Sequence, residues 1–226
     1  GNPDLKPSLS AETEIGLNVS FLDRFTLEAA YSDAETSDQF MLVGLFSPAN
    51  AGKNRQWQNV GDLQAKTIEA TIKANVLNTE NMRWDVGVNY ASTTNQINAL
   101  NAPQQQVGSD ALFLLKEGIE FGTMWGRSFV YNLADMAAQL PDGRTISEYE
   151  INADGVVVES ALVGTVDEAA ITKVDDDGVA VFEQIGNQNA DFRVGITSNF
   201  SYKKFDFYML WDWKSGGDIY NRNAQW

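Results

Sequence analysis

Carboxylates are the most plentiful reactive groups in this sequence. Glu12, Glu14, Glu28, Glu69, Asp85 and Asp212 supply enough of them for an acid–base or nucleophile pair. Glycoside hydrolysis would need two such groups about 5–10 Å apart across a substrate cleft. These residues alternate with apolar neighbours, however, so a polar wall explains them with no catalytic assumption. Asp175-Asp176-Asp177-Gly178 resembles a calcium loop, yet Lys173 occupies a place where an EF-hand needs an oxygen ligand, so the run reads as an acidic surface turn. Asp142-Gly143 and Asp154-Gly155 are turn dipeptides. The chain has neither histidine nor cysteine, which removes the usual general base, the commonest metal ligand, disulfides and thiolate chemistry. No catalytic residue, metal ligand or cofactor is assigned, and no enzymatic activity is expected. The remaining candidates are Trp125, Arg127, Phe129 and Tyr131, between glycines in Gly122 to Leu133. They could stack on sugar rings or peptide side chains; packing of their loop against a neighbouring domain is the plainer use.

The elements that carry these residues are strands. Phe192, Val194, Ile196, Ser198, Phe200 and Tyr202 alternate with Arg193, Gly195, Thr197, Asn199 and Ser201. After Lys203-Lys204 the alternation resumes as Phe205, Phe207, Met209, Trp211 and Trp213 against Asp206, Tyr208, Leu210, Asp212 and Lys214. A second hairpin joins Thr13 to Phe21 and Phe25 to Tyr31 through Leu22-Asp23-Arg24. A third joins Ile68 to Val76 and Trp84 to Tyr90 through Asn78 to Met82. Both arms of the Phe192 hairpin carry ten or more residues in register, against about five or six in ordinary strands. A tilted strand crossing a bilayer needs about nine to eleven, with one apolar face and aromatics near the interfaces. Phe21, Phe25, Trp84, Tyr202 and Phe205 flank the turns and suit such an interfacial girdle.

Connection lengths sharpen the reading. The three turns are tight, whereas Ser32 to Leu63 and Thr93 to Ala190 read as long loops rich in Asn, Gln, Asp and Gly. Short turns on one side and long loops on the other describe an outer-membrane barrel with short periplasmic turns and long extracellular loops. The chain of 226 residues lacks an apolar run long enough for a spanning helix, which a barrel would lack as well. Its net charge of −15 disfavours nucleic acid as a partner. If the tight turns share one side, an even number of crossings separates the strand ending near Gln96 from the one starting at Asp191. The interval therefore holds none or two, with Glu120 to Leu133 the better candidate for one. The chain thus carries about six to eight strands of an all-β, transmembrane antiparallel β-barrel.

Five segments carry a family resemblance: Gly1-Asn2-Pro3-Asp4-Leu5-Lys6-Pro7 followed by Glu12 and Glu14; Asn59-Val60-Gly61 before the strand with Glu69; Trp84 to Tyr90; Ile185 to Phe192; and Trp211 to Asn221. In that order they resemble SusC-like (RagA-like) TonB-dependent transporters. Ser8 and Ala190 depart from the family's usual Glu and Pro. The resemblance implies a 22-stranded integral barrel in the Gram-negative outer membrane with an N-terminal plug. It also implies a SusD-like surface lipoprotein as partner, TonB as energy source through segments outside this sequence, and an oligosaccharide or peptide as solute. Residues 1–226 are then expected to be an internal segment of the barrel wall, without the plug and the last strands, and Trp226 is not expected to be a barrel's terminal aromatic. The rival readings are a soluble or surface all-β glycan-binding module and a carboxylate hydrolase.

Overall fold

The computed structural model describes residues 2–44 and 55–221. The strands in chain order are β1 (Leu9–Phe21), β2 (Phe25–Gly44), β3 (Arg55–Asn78), β4 (Met82–Leu100), β5 (Gln105–Val107), β6 (Phe113–Leu115), β7 (Thr123–Arg127), β8 (Tyr149–Ile151), β9 (Val157–Glu159), β10 (Phe182–Asn187), β11 (Ala190–Tyr202) and β12 (Phe205–Gly216). An α-helix, α1, spans Leu133–Ala138. The chain divides into two units, residues 1–123 with 187–226, and residues 124–186.

The first unit is built on one antiparallel sheet in the order β1-β2-β3-β4-β11-β12. Its register aligns the side chains into rows. Leu17, Ala29, Ala70, Tyr90, Val194 and Trp213 are successive cross-strand partners, as are Val19, Leu27, Ile72, Val88, Ile196 and Trp211. The intervening rows on the other face are polar or small: Gly16, Ala30, Glu69, Ala91, Arg193 and Lys214, then Asn18, Glu28, Thr71, Asn89, Gly195 and Asp212. Because the side-chain period of a strand is two, a slip of one residue anywhere would exchange the faces. No shift falls within these central rows; the bulges lie towards the strand ends, between Thr36 and Phe40, Asp62 and Leu63, Asn75 and Leu77, and Ala190 and Phe192.

The apolar face is bare. Ile15 is 70% exposed, Phe207 60% and Trp211 66%, and no second sheet covers them among the described residues. On β11 the band runs from Phe192 to Tyr202, about ten steps or ~33 Å along the strand. At a tilt of about 40° that gives ~25 Å of height, the thickness of a barrel's apolar belt. Polar atoms on this face are satisfied locally, as hydrocarbon requires. The Trp84 indole N–H donates to Ser198 Oγ at 3.0 Å, and Ser92 Oγ donates to the Asp191 carbonyl at 2.7 Å.

All three tight turns lie at one end: the Asn75 N–H donates to the Arg24 carbonyl, and the Lys203 N–H to that of Asn81. The aromatics expected to form a girdle gather there, Phe21 stacked on Phe25 at 5.2 Å and Tyr202 directly opposite Phe205.

One expectation is corrected and one open count is resolved. Residues 32–63 are not mainly loop: β2 continues to Gly44 and β3 starts at Arg55, so these strands reach 20 and 24 residues. Apolar alternation fades after Tyr31, yet backbone pairing continues beyond the belt, where water solvates both faces. Residues 45–54, within the same expected loop, lie outside the described residues. Of the two counts expected between β4 and β11, none or two crossings, the first holds among the described residues: β11 pairs directly with β4, and the sheet has six strands, the lower end of the expected six to eight. Glu120 to Leu133 contributes only the short β7, because Gly126 and the buried Met124, Ser128 and Val130 leave no continuous lipid-compatible face.

The second unit has a core of its own, with Val130, Met136, Tyr149 and Val157 buried and Leu140 and Ile171 packed against them. Asn132 caps α1 by accepting the Asp135 N–H at 2.8 Å. β8 and β9 form a hairpin whose turn is held by Asn152 Oδ1, which accepts the N–H groups of Asp154 and Val156.

Candidate functional site

Alternation decides where the four candidate contact residues sit. From Met124 to Tyr131 the buried positions are Met124, Ser128 and Val130, with Gly126 partly covered, while Arg127, Phe129 and Tyr131 are exposed and Trp125 is half-buried. Trp125, Arg127, Phe129 and Tyr131 therefore share one face of a single extended segment, spaced about 6.6 Å apart along it. β10 lies beside β7 and adds Phe182, whose ring lies 6.1 Å from that of Trp125. The result is an exposed aromatic row holding one guanidinium.

Arg127 stands apart from the other cations of this unit. Arg144 is paired with Glu148 at 2.6 Å and Glu159 at 3.0 Å and lies over the Tyr149 ring, and Lys173 is paired with Glu183 at 2.9 Å. Arg127 enters no ion pair among the described residues. The Ser128 hydroxyl and then the Lys173 ammonium hold the Glu183 carboxyl below its usual range. The Asn152 amide and the Gly164 N–H do the same for Glu168, and the Thr145 N–H, chiefly, for Glu148. These groups brace the unit from beside the aromatic row.

The acidic run is a turn. Asp175 Oδ1 accepts the N–H groups of Asp177 and Val179, at 3.0 and 2.9 Å, and Gly178 takes φ of +74°. This geometry spends the Asp175 carboxylate on backbone. Of the six wall carboxylates, Glu28 faces Lys73 at 3.4 Å and Asp85 faces Arg83 at 2.7 Å on the polar side of the sheet, and Glu28 and Glu69 line one open depression.

Reading residue by residue missed two polar clasps that explain the family-like motifs. In one, Asn59 Oδ1 accepts the Lys6 N–H at 2.8 Å, and its amide donates to the carbonyls of Lys6 and Asp38. Asn2 donates to the Trp57 carbonyl. Beside it, a Cβ on Gly61 would overlap the Ala99 carbonyl, so the β3–β4 backbones approach as only glycine permits. In the other, Glu120 accepts from Asn187 at 2.7 Å and Asn189 at 3.0 Å, while Asp218 Oδ2 accepts the Asn187 N–H at 2.7 Å. Both fix the strand ends opposite the tight turns. The recurrence of Asn, Gly and Asp between strands was the available signal.

Comparison with known proteins agrees with this architecture. Residues 1–139 match the family described as TonB dependent receptor-like, beta-barrel. TonB-dependent receptor P3 of Formosa agariphila is 25% identical over 235 residues, covering 97% of this chain and 22% of that protein. TonB-dependent receptor P26 of the same organism is 27% identical over 226 residues, with 97% and 21% covered. The chain thus spans about a fifth of the length of these curated relatives. Among solved structures, that of the RagAB peptide transporter superposes with a TM-score of 0.64 over 96% of this chain and 22% of the other. The RagAB peptide importer in its open-open state gives 0.64 over 96% and 21%. Identity is 16% in both, so the likeness is one of fold.

Proposed function

Because the chain belongs to the TonB dependent receptor-like β-barrel family, we propose that it forms part of the wall and outer loops of an outer-membrane transporter that imports a nutrient with energy from TonB. Residues 1–226 are one segment of that larger barrel. The observation that carries this reading is the two-faced sheet. An uncovered apolar belt of bilayer height backs onto a polar face that suits a wet lumen. The wall does no covalent chemistry; it seals the membrane, lines the path and holds loops outside the cell.

The finer reading concerns solute and partner. A SusD-like surface lipoprotein is the proposed partner, supported by the family resemblance and by the likeness in fold to the barrel of a complex named RagAB. The solute is an oligosaccharide or peptide. Trp125, Arg127, Phe129 and Tyr131 are its proposed contacts, because flat rings beside a free guanidinium can stack on apolar faces and hold a polar group. A soluble glycan-binding module would bury the face of Ile15 and Phe207, which lies open here.

The test is deletion and replacement of the full-length gene in its host. Growth on one polymeric nutrient should fail without the gene or without TonB, and should return with the wild-type protein in the outer-membrane fraction. Replacing Trp125 and Tyr131 with Ala should weaken solute binding about tenfold or more while the barrel still assembles. Growth unaffected on every nutrient, or recovery of the protein in the soluble fraction, would contradict the proposal.

A further inference from the structure

Along the strands, within the height of the apolar belt, the polar face of the sheet presents four basic side chains, with Arg24 of the first tight turn beside Lys73, and the four fall into two pairs of opposite character. Lys73 and Arg83 each meet an acid of the same sheet, Glu28 at 3.4 Å and Asp85 at 2.7 Å. Arg193 and Lys214 instead stand directly opposite each other on β11 and β12, both exposed, and neither enters an ion pair or hydrogen bond among the described residues. Like charges placed directly across a ladder are unfavourable unless something compensates them. The nearby acids are Asp191, two residues before Arg193 on β11, whose carboxylate accepts the Ser215 hydroxyl at 3.5 Å; Asp212, diagonal across the ladder; and Glu69, two strands away beyond Ala91; none forms an ion pair with Arg193 or Lys214 among the described residues. In a chain with 31 acidic and 16 basic residues, two cations side by side that form no ion pair among the described residues invite an explanation.

Two further observations define the place. Gly217 has φ of +84°, and a Cβ there would run into Lys214 Nζ, so the glycine leaves room for the ammonium. The pair also lies at the outer end of the belt, one row from Trp213 and Val194 and far from the tight turns. Ionisable groups at membrane depth persist where they face a pore and do work there, and charged side chains lining a pore select what passes.

We infer that Arg193 and Lys214 form an anion-contact site on the lumen wall, which takes a carboxylate, sulfate or phosphate group carried by the solute as it enters. The inference rests on the transporter reading above and narrows its solute to a class bearing negative charge. The guanidinium offers a planar fork and the ammonium a point charge, a combination that grips an oxyanion from two sides.

Protection from acetylation tests it in the full-length transporter in detergent, with sulfate as the probe anion and chloride at equal ionic strength as the reference. Sulfate should slow acetylation of Lys214 about fivefold, read by mass spectrometry, and leave Lys203 and Lys204 in the far turn unchanged. Arg193→Gln should abolish the protection, and Arg193→Lys should retain part of it. Equal effects on all three lysines, or undiminished protection in Arg193→Gln, would overturn the site. So would a carbodiimide cross-link joining Lys214 to a carboxylate elsewhere in the chain, because the pair would then have an internal counter-charge. Failure of the transporter reading would show differently, as absence of the protein from the outer-membrane fraction.

Discussion

The six-stranded wall and the unit of residues 124–186 are built on opposite solutions to the same problem. The loop unit hides its apolar side chains from water, with Val157 fully buried and Met136 1% exposed. The wall turns its own outward, Ile15, Phe207 and Trp211 among them, and is held laterally by continuous backbone pairing. One unit satisfies the hydrophobic effect within itself; the other depends on a lipid solvent. The pattern that signals a core in a soluble protein therefore marks the exterior of the wall.

The largest expected effect separates the units directly. Met136→Ala should cost the loop unit about 2–5 kcal/mol through the cavity it leaves. Hydrogen exchange in the full-length protein should then accelerate within residues 124–186 while β1–β4, β11 and β12 keep their protection. Joint loosening of both would break the comparison. Next in size, Ile72→Arg places a charge in the belt and should cost about 2–4 kcal/mol. Thr71→Arg, one residue along on the polar face, should be far milder, as read from the denaturant midpoint of the refolded barrel. Equal costs would mean that the two faces see the same medium. Smaller again, Ser198→Ala removes the acceptor for the Trp84 indole and should destabilise the wall by about 1–3 kcal/mol in lipid.

Acidification should affect the loop unit through named groups. The carboxyls of Glu148, Glu168 and Glu183 are held below their usual values by hydrogen bonds, aided at Glu148 by Arg144 and at Glu183 by Lys173. A carboxyl with a lowered folded pKa contributes stability in full above its unfolded value of about 4.3 and loses it as pH falls further. Protection in residues 124–186 should thus decline modestly below about pH 4. Substituting Gln for Glu183 should remove part of that pH dependence.

The wall was legible in the sequence because a period of two survives wherever one face meets hydrocarbon. Ile196 and Trp211, or Val19 and Leu27, fall on the expected side without exception. Past Tyr31 that constraint ends, so the continuation of β2 and β3 in water left no periodic trace even though the ladder persists. The aromatic row was found as residue types, but its common face needed the burial of Met124, Ser128 and Val130 to define it. The clasps at Asn59 and Glu120 bring together residues 21 to 69 positions apart, a long-range pairing that composition does not encode. Arg193 and Lys214 looked like ordinary polar neighbours until the register set them face to face.

Single cysteines along β11 test the central claim most directly, since this chain has none of its own. Placed one at a time from Val194 to Ser201 in the full-length protein in liposomes, they would be challenged with a water-soluble maleimide. Labels attached at the same positions would be challenged with a lipid-chain quencher. Cysteines at 195, 197, 199 and 201 should react from water, and labels at 194, 196, 198 and 200 should be quenched from the bilayer. Uniform reaction with the maleimide, or quenching that ignores the alternation, would contradict a wall with lipid on one side and an aqueous lumen on the other.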